Sequence, residues 1–230
     1  MNPINSPEPT RRPAPKAALT PISIERYVQQ AITPALGEYR ALRVCVPTCF
    51  FMLAKANGYL SAGPGADLVS FCRDLDWPGA FVPSGWVRPR LAADLRRRYG
   101  IASVSWLPGG HQAPTAADLK AMKAAGYLGS RREVAFFRRY IIGHDLPDIV
   151  RSGYPVIAGV LGGFGANKDT HAVIIVDWTD DEVEIVDPDD RNPQQIYPAS
   201  YVRQHLNQSG GGFTVVLPAR SARIFGRPHL

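Results

Sequence analysis

The hydrophobic pattern of this 230-residue chain changes character at Gly153, and that change restricts the fold more than any other feature. Ahead of it, apolar residues recur at helical spacing over 22–36, 64–74, 88–99, 115–125 and 131–141, and a last short helix runs from Asp145 to Arg151. Behind it, β-branched runs are separated by turn residues: "YPVIAGVL" (154–161), "HAVIIV" (171–176), "EVEIVD" (182–187) and "GFTVVL" (212–217), with a short helix in "PASYVRQHL". Helices first and an antiparallel sheet last define an α+β fold. Apolar residues make up 45% of the chain and charged residues 20%, enough for one core, expected over 21–218. Residues 1–20, rich in Pro, Ser and Arg, read as a disordered leader, and residues 219–230 as a tail.

The two central strands carry the sharpest local prediction. With "DWTDD" (177–181) as a five-residue loop, Val176 opposes Glu182, Ile175 opposes Val183, Val173 opposes Ile185 and His171 opposes Asp187. Glu182 and Glu184 then share one face. Val183 and Ile185 join His171 and Asp187 on the other, which is apolar except for that imidazole and carboxylate. Directly opposed residues have Cβ atoms about 4.5–5.5 Å apart, within reach of an imidazole–carboxylate hydrogen bond. A two-residue loop at Asp180-Asp181 would instead send His171 and Asp187 to opposite faces. The pair is either a catalytic couple or a strand-end histidine satisfied by a neighbour.

Two of the three cysteines lie in "RVCVPTCFFML" (43–53). Pro47 and Thr48 suit the first turn of a buried helix that Asn57-Gly58 stops. Cys45, just ahead of that turn, can face its unpaired amide groups. Such a setting, with an imidazolium nearby, brings a thiol from about 8.5 down to roughly 3.5–7.5 and makes it a nucleophile. The alternative is a small buried side chain, the usual fate of an unpaired cysteine. Cys49, between Thr48 and two phenylalanines, reads as core, and Cys72 in "DLVSFCRDL" has no activating surroundings. A zinc set built on Cys45 and Cys49 lacks a second ligand pair at zinc spacing, so neither a metal nor a cofactor is expected. The odd cysteine count favours a reducing compartment.

The net charge of +6 comes partly from arginine clusters at 96–98 and at 131, 132, 138 and 139. Without zinc-finger spacing or an aromatic-rich basic module, these read as solvated helix faces, and nucleic acid is not an expected partner. No apolar run is long enough to span a membrane, and the N-terminus has no apolar signal core. The expected location is the cytoplasm, or outside the cell by a route without a cleavable signal peptide. Trp86, Trp106 and Trp178 are candidates for a cleft lining, the core or its rim.

"CVPTCFFMLAKANGY" resembles the Cys-Gly-Pro-Thr/Ala helix start of the bacterial papain-like cysteine peptidases related to the bacteriocin-processing, double-glycine leader peptidases. "DIVRSGYPVIAGV" is similar to that family's helix, glycine and strand opening; "THAVIIVDW" and "VEIVDPDD" are similar to its histidine and aspartate strands, and "YPASYVRQHL…GGFTVVL" to its closing helix and strand. The likeness covers residues 24–218. It implies a papain-like fold with the nucleophile helix packed on the C-terminal antiparallel sheet, and a peptide or protein substrate. It also implies Cys45 as nucleophile, His171 as general base and later acid, and Asp187 as the group orienting His171. Val46 stands where the family has a glycine, and no glutamine stands several residues before Cys45 to help bind the oxyanion. The Cys45 backbone N–H, with Gln29 or Gln30 from the first helix, is then the expected donor set. Peptide hydrolysis and acyl transfer need the same three residues. A catalytically silent module that binds a peptide or protein is the alternative. "LGGFGANK" (161–168) is either a mobile wall of the cleft or a plain connection.

Overall fold

Strands β1 (Phe81–Val82) and β2 (Gly85–Trp86) pair only with each other, while β3 (Ser103–Trp106), β4 (Val156–Leu161), β5 (Thr170–Trp178), β6 (Glu182–Val186), β7 (Ile196–Pro198) and β8 (Phe213–Val216) form one sheet in the computed structural model. The residues described are 23–37, 43–60, 65–82, 85–106, 114–161, 170–189, 195–208 and 212–219. The order is β3-β8-β4-β5-β6-β7, and every pairing is antiparallel. This is the expected α+β class, with one addition: β3 comes from the helical half and pairs with β8. The expected leader (1–20) and the "GGFGANKD" loop lie outside the described residues, as does the tail beyond Ala219.

Both faces of the sheet are covered. On one, Val104, Val156, Ala158, Val173, Ile175, Val183 and Ile185 pack with Phe136, Phe137, Ile149 and Val202. On the other, Ile157, Ala172, Ile174 and Val216 pack with Phe50, Phe51, Met52 and Leu53 of the helix Cys45–Ala56 and with Phe71, Leu91 and Leu95. β-branched residues at alternate positions of β5 feed both cores, which is why the strand reads as a continuous apolar run. The helix Cys45–Ala56 is apolar nearly all round because it lies inside, with Cys49 to Ala54 buried. It ends where Gly58 takes φ 84°, a conformation that glycine adopts without a Cβ clash.

Three expectations need correction. The segment 22–36 is not one helix: 23–28 carry no regular structure, and only a 3-10 turn (Gln29–Ile32) and one α-turn (Thr33–Leu36) form. Its polar residues bond across the chain, as described below, and Tyr27 packs edge-on against Phe51 with ring centroids 4.9 Å apart. The apolar spacing there reflects docking on a buried helix. Second, that helix begins at Cys45 itself rather than at Pro47. Third, the hairpin register differs. Asp177 pairs with Glu184 and Trp178 with Val183, but Ile175 pairs with Ile185 and Ile174 with Val186.

The reason is a tighter turn than the five-residue loop. Thr179 N–H and Oγ1 both donate to the Glu182 carbonyl, at 2.9 and 3.0 Å, leaving Asp180-Asp181 as the loop. Such a turn alone would place His171 and Asp187 on opposite faces. A bulge between Ile175 and Asp177 adds one residue to β5 and restores the parity. Asp187 therefore falls diagonal to His171 rather than directly opposite it, and the shared face survives.

Candidate active site

Helix Cys45–Ala56 packs on β5, so the first residue of the helix meets the first turn of side chains on that strand. Cys49 Sγ donates to the Ala172 carbonyl at 3.5 Å, which pins the helix start beside His171. His171 Nε2 donates to Asp187 Oδ1 at 2.6 Å, across an ion-pair geometry in which the ring is 13% exposed and the carboxylate 1%. The same Oδ1 accepts the Asp189 N–H at 2.8 Å. An oxygen that accepts twice fixes the ring proton on Nε2 and leaves Nδ1 as the atom available to the Cys45 sulfur. Thus the three residues singled out from the sequence sit together, although the register that brings Asp187 there is not the predicted one.

The electrostatics of the pair are reciprocal. Burial acts on the Cys45 thiol to raise its pKa, but hydrogen bonding to His171, the ring's charge and the backbone amides of Ala172 and Val46 outweigh it, and the thiol lies below its ordinary value. Burial likewise disfavours charge on His171; bonding to Asp187 and to Cys45 overrides it and raises the imidazole to about 10. Both shifts run toward a thiolate–imidazolium couple with a carboxylate behind it. Cys49 goes the other way: burial, with the charges of Cys45 and Asp187, pushes its thiol well up, so it remains neutral. Burial also lifts Cys72 out of the nucleophilic range. One sulfur of the three is activated.

What holds Asp187 was not foreseen. Arg26 Nε donates to the Asp187 carbonyl at 2.8 Å and its Nη2 to the Asp189 carbonyl at 2.7 Å. Gln29 N–H donates to the Pro188 carbonyl at 2.9 Å, and Gln30 Nε2 to Asp189 Oδ1 at 2.8 Å. The N-terminal segment is thus a strap across the turn after β6. Gln30, a candidate oxyanion donor, is spent on Asp189. Gln29 is 2% exposed, and its Oε1 has no partner among the described residues. Arg26→Met is expected to destabilise the protein by about 1.5–3 kcal/mol, the range for hydrogen bonds to a charged group, and to slow alkylation of Cys45; urea denaturation and iodoacetamide kinetics read the two effects.

Arg88 was also unforeseen. It opens the helix Arg88–Tyr99, is half-buried, and its Nη1 donates to the carbonyls of Ile157 (3.3 Å) and Gly212 (2.8 Å). Trp86, two residues earlier, donates Nε1 to the Arg43 carbonyl, two residues before Cys45. Of the three tryptophans considered for a cleft, Trp86 alone borders the nucleophile segment. Trp178 is 2% exposed, and Trp106 packs on Phe137.

Among the described residues, no group of three or more His, Cys, Asp or Glu is arranged to hold a metal. No helix there is long and apolar enough to cross a membrane. Comparison with protein-family models and with curated proteins finds no match. Among solved structures, a Bacillus anthracis chain described as a "putative C39-like peptidase" aligns over 77% of this chain and 90% of its own, with 13% sequence identity and a TM-score of 0.47. At that level the likeness assigns neither a family nor an activity to this chain.

Proposed function

We propose that this protein is a cysteine peptidase or a related acyl transferase of papain-like type, acting on a peptide or other amide through Cys45, His171 and Asp187. The observation that carries the reading is a single imidazole shared between a buried carboxylate at 2.6 Å and an activated thiol. In this reading the Cys45 thiolate attacks the substrate carbonyl carbon, and the carbonyl π pair moves onto oxygen. The tetrahedral species collapses as His171 gives its Nδ1 proton to the departing amine, leaving a thioester on Cys45. Water or an acceptor amine then attacks the thioester while His171 takes up a proton, and the thiolate is released. Asp187 keeps the ring oriented and favours its charged form throughout. The backbone N–H of Cys45, in the first turn of its helix, is a donor for the oxyanion.

A peptidyl electrophile aimed at cysteine peptidases, followed by intact-mass and peptide mapping, tests the reading. One adduct, on Cys45, formed far faster than on glutathione, is the expected result. Labelling at the rate of an ordinary thiol would instead identify a silent module that binds a peptide or protein.

A further inference from the structure

Asp189 commits its polar groups to the corner of the site that holds Asp187. Its N–H donates to Asp187 Oδ1 at 2.8 Å, the oxygen that receives the His171 ring at 2.6 Å. Its carbonyl accepts Arg26 Nη2 at 2.7 Å, and its own Oδ1 accepts Gln30 Nε2 at 2.8 Å. An aspartate can accept the N–H two residues on whatever side chain stands there, so the turn alone does not require an acid at 189. Yet Asp189 is 8% exposed, and a carboxylate withdrawn from water is tolerated only where hydrogen bonds offset the loss.

The peptide unit between Pro188 and Asp189 is where those bonds act. It is planar, so its oxygen and its N–H point opposite ways. Gln29 N–H holds the oxygen at 2.9 Å, and the N–H meets Asp187 Oδ1. Gln30, the next residue of the strap, anchors the Asp189 side chain. The same strap rests on the helix that carries Cys45: Tyr27 N–H donates to Met52 Sδ at 3.3 Å, and the Tyr27 ring meets Phe51. One segment thus grips both the nucleophile helix and the turn that carries Asp187. We propose that Asp189 is a positioning residue for Cys45, His171 and Asp187: its carboxylate, bound by Gln30, holds the Pro188–Asp189 peptide so that the N–H keeps Asp187 Oδ1 on the His171 ring. The inference rests on those three residues being the reacting set, and it adds a fourth that touches no substrate. What position 189 needs is an acceptor oxygen, not a negative charge. With the acceptor gone, Asp187 leaves the ring more easily, the imidazolium is less favoured, and the Cys45 pKa rises.

The pH dependence of iodoacetamide alkylation at Cys45, read by peptide mapping with glutathione as the reference thiol, tests this. Asp189→Ala and Gln30→Ala should each raise the apparent pKa of the rate profile by about half a unit to one unit. That makes alkylation about three- to tenfold slower below the wild-type pKa, with the rates converging at high pH. The double variant should lose no more than the larger single loss, because both substitutions break one bond. Asp189→Asn keeps an acceptor oxygen for Gln30 and should shift the profile much less than alanine does. If Asp189→Ala fails to fold, Gln30→Ala and Asp189→Asn carry the same decision. Alanine variants that lower the urea midpoint but keep the wild-type profile make Asp189 a structural residue and overturn the proposal. A shift in Asp189→Asn as large as in Asp189→Ala assigns the effect to charge and also overturns it. Wild-type Cys45 reacting no faster than glutathione is a different result: it overturns the nucleophile itself, and the positioning role with it.

Discussion

Replacing His171 by alanine is expected to slow alkylation of Cys45 at pH 7 by about two orders of magnitude. In the native site the ring's hydrogen bond and charge hold the thiol below its ordinary value of 9.0 against the burial that would raise it. Without the ring, burial is left unopposed except by two backbone amides, and a thiol with a pKa of 9 or more is at most about 1% ionised at pH 7. The deficit should close as pH rises past 9, because the thiolate then forms without help. Cys49 and Cys72, both buried with raised pKa values, do not compensate. Equal rates for wild type and variant at pH 7 would show that the imidazole does not activate this sulfur.

The same coupling has a consequence for stability. His171 binds its proton more tightly in the fold, at about 10 against 6.5 for a free imidazole. Its contribution is therefore complete below pH 6.5 and is lost as pH rises through about 10. Cys45, depressed from 9.0, contributes above that value and loses its contribution as pH falls through its folded pKa. The His171→Ala variant should accordingly lose more stability, relative to wild type, near pH 6 than near pH 10.

The second large effect lies away from the site. Glu133 is fully buried; its carboxylate accepts the backbone N–H groups of Ser103 (3.2 Å), Gly129 (2.7 Å) and Ser130 (2.9 Å) and pairs with Arg96 at 3.2 Å. It joins the start of the helix Arg131–Phe136 to strand β3. Glu133→Ala is expected to destabilise the protein by about 3–5 kcal/mol, because it strands the buried Ser103 donor, takes the acceptor from the Gly129 and Ser130 amides, and leaves the Arg96 charge without its partner. Glu133→Gln, which keeps an acceptor oxygen, should cost clearly less. Urea denaturation measures both, and a loss below about 1 kcal/mol for the alanine variant would show that water satisfies those amides.

What could be read from the sequence followed from periodicity. The switch at Gly153, the apolar run of β5, the alternation of β6, and the turn residues around the helix Cys45–Ala56 are local signals, and each led to the right element. The register of the hairpin was less accessible, because the Thr179 side chain that closes its turn and the bulge beside Val176 leave no mark in an apolar/polar pattern. The tighter turn shifts the register by three residues and the bulge takes back one, so the pairing ends two residues out while the shared face is kept. Arg26 and Arg88 were missed, and Gln30 was expected at the oxyanion rather than on Asp189, for a related reason. Their partners are the carbonyls of Asp187, Asp189, Ile157 and Gly212 and the Asp189 carboxylate, all far away in the chain. A lone arginine in "SIERY" or "VRPR" looks like any solvated cation. The Glu133 carboxylate's reach from its own helix start to Ser103 left no mark in the sequence either.

The claim on which all of this turns is that a sulfur at residue 45 exists largely as thiolate because an imidazole at residue 171 is held protonated beside it. Titrating the ultraviolet absorbance of the thiolate in wild type, with Cys45→Ser subtracted, measures it directly. A transition clearly below pH 8.5, shifted upward by at least a full unit in His171→Ala, is the predicted outcome. A transition at or above the free-thiol value, indifferent to His171, would contradict the account.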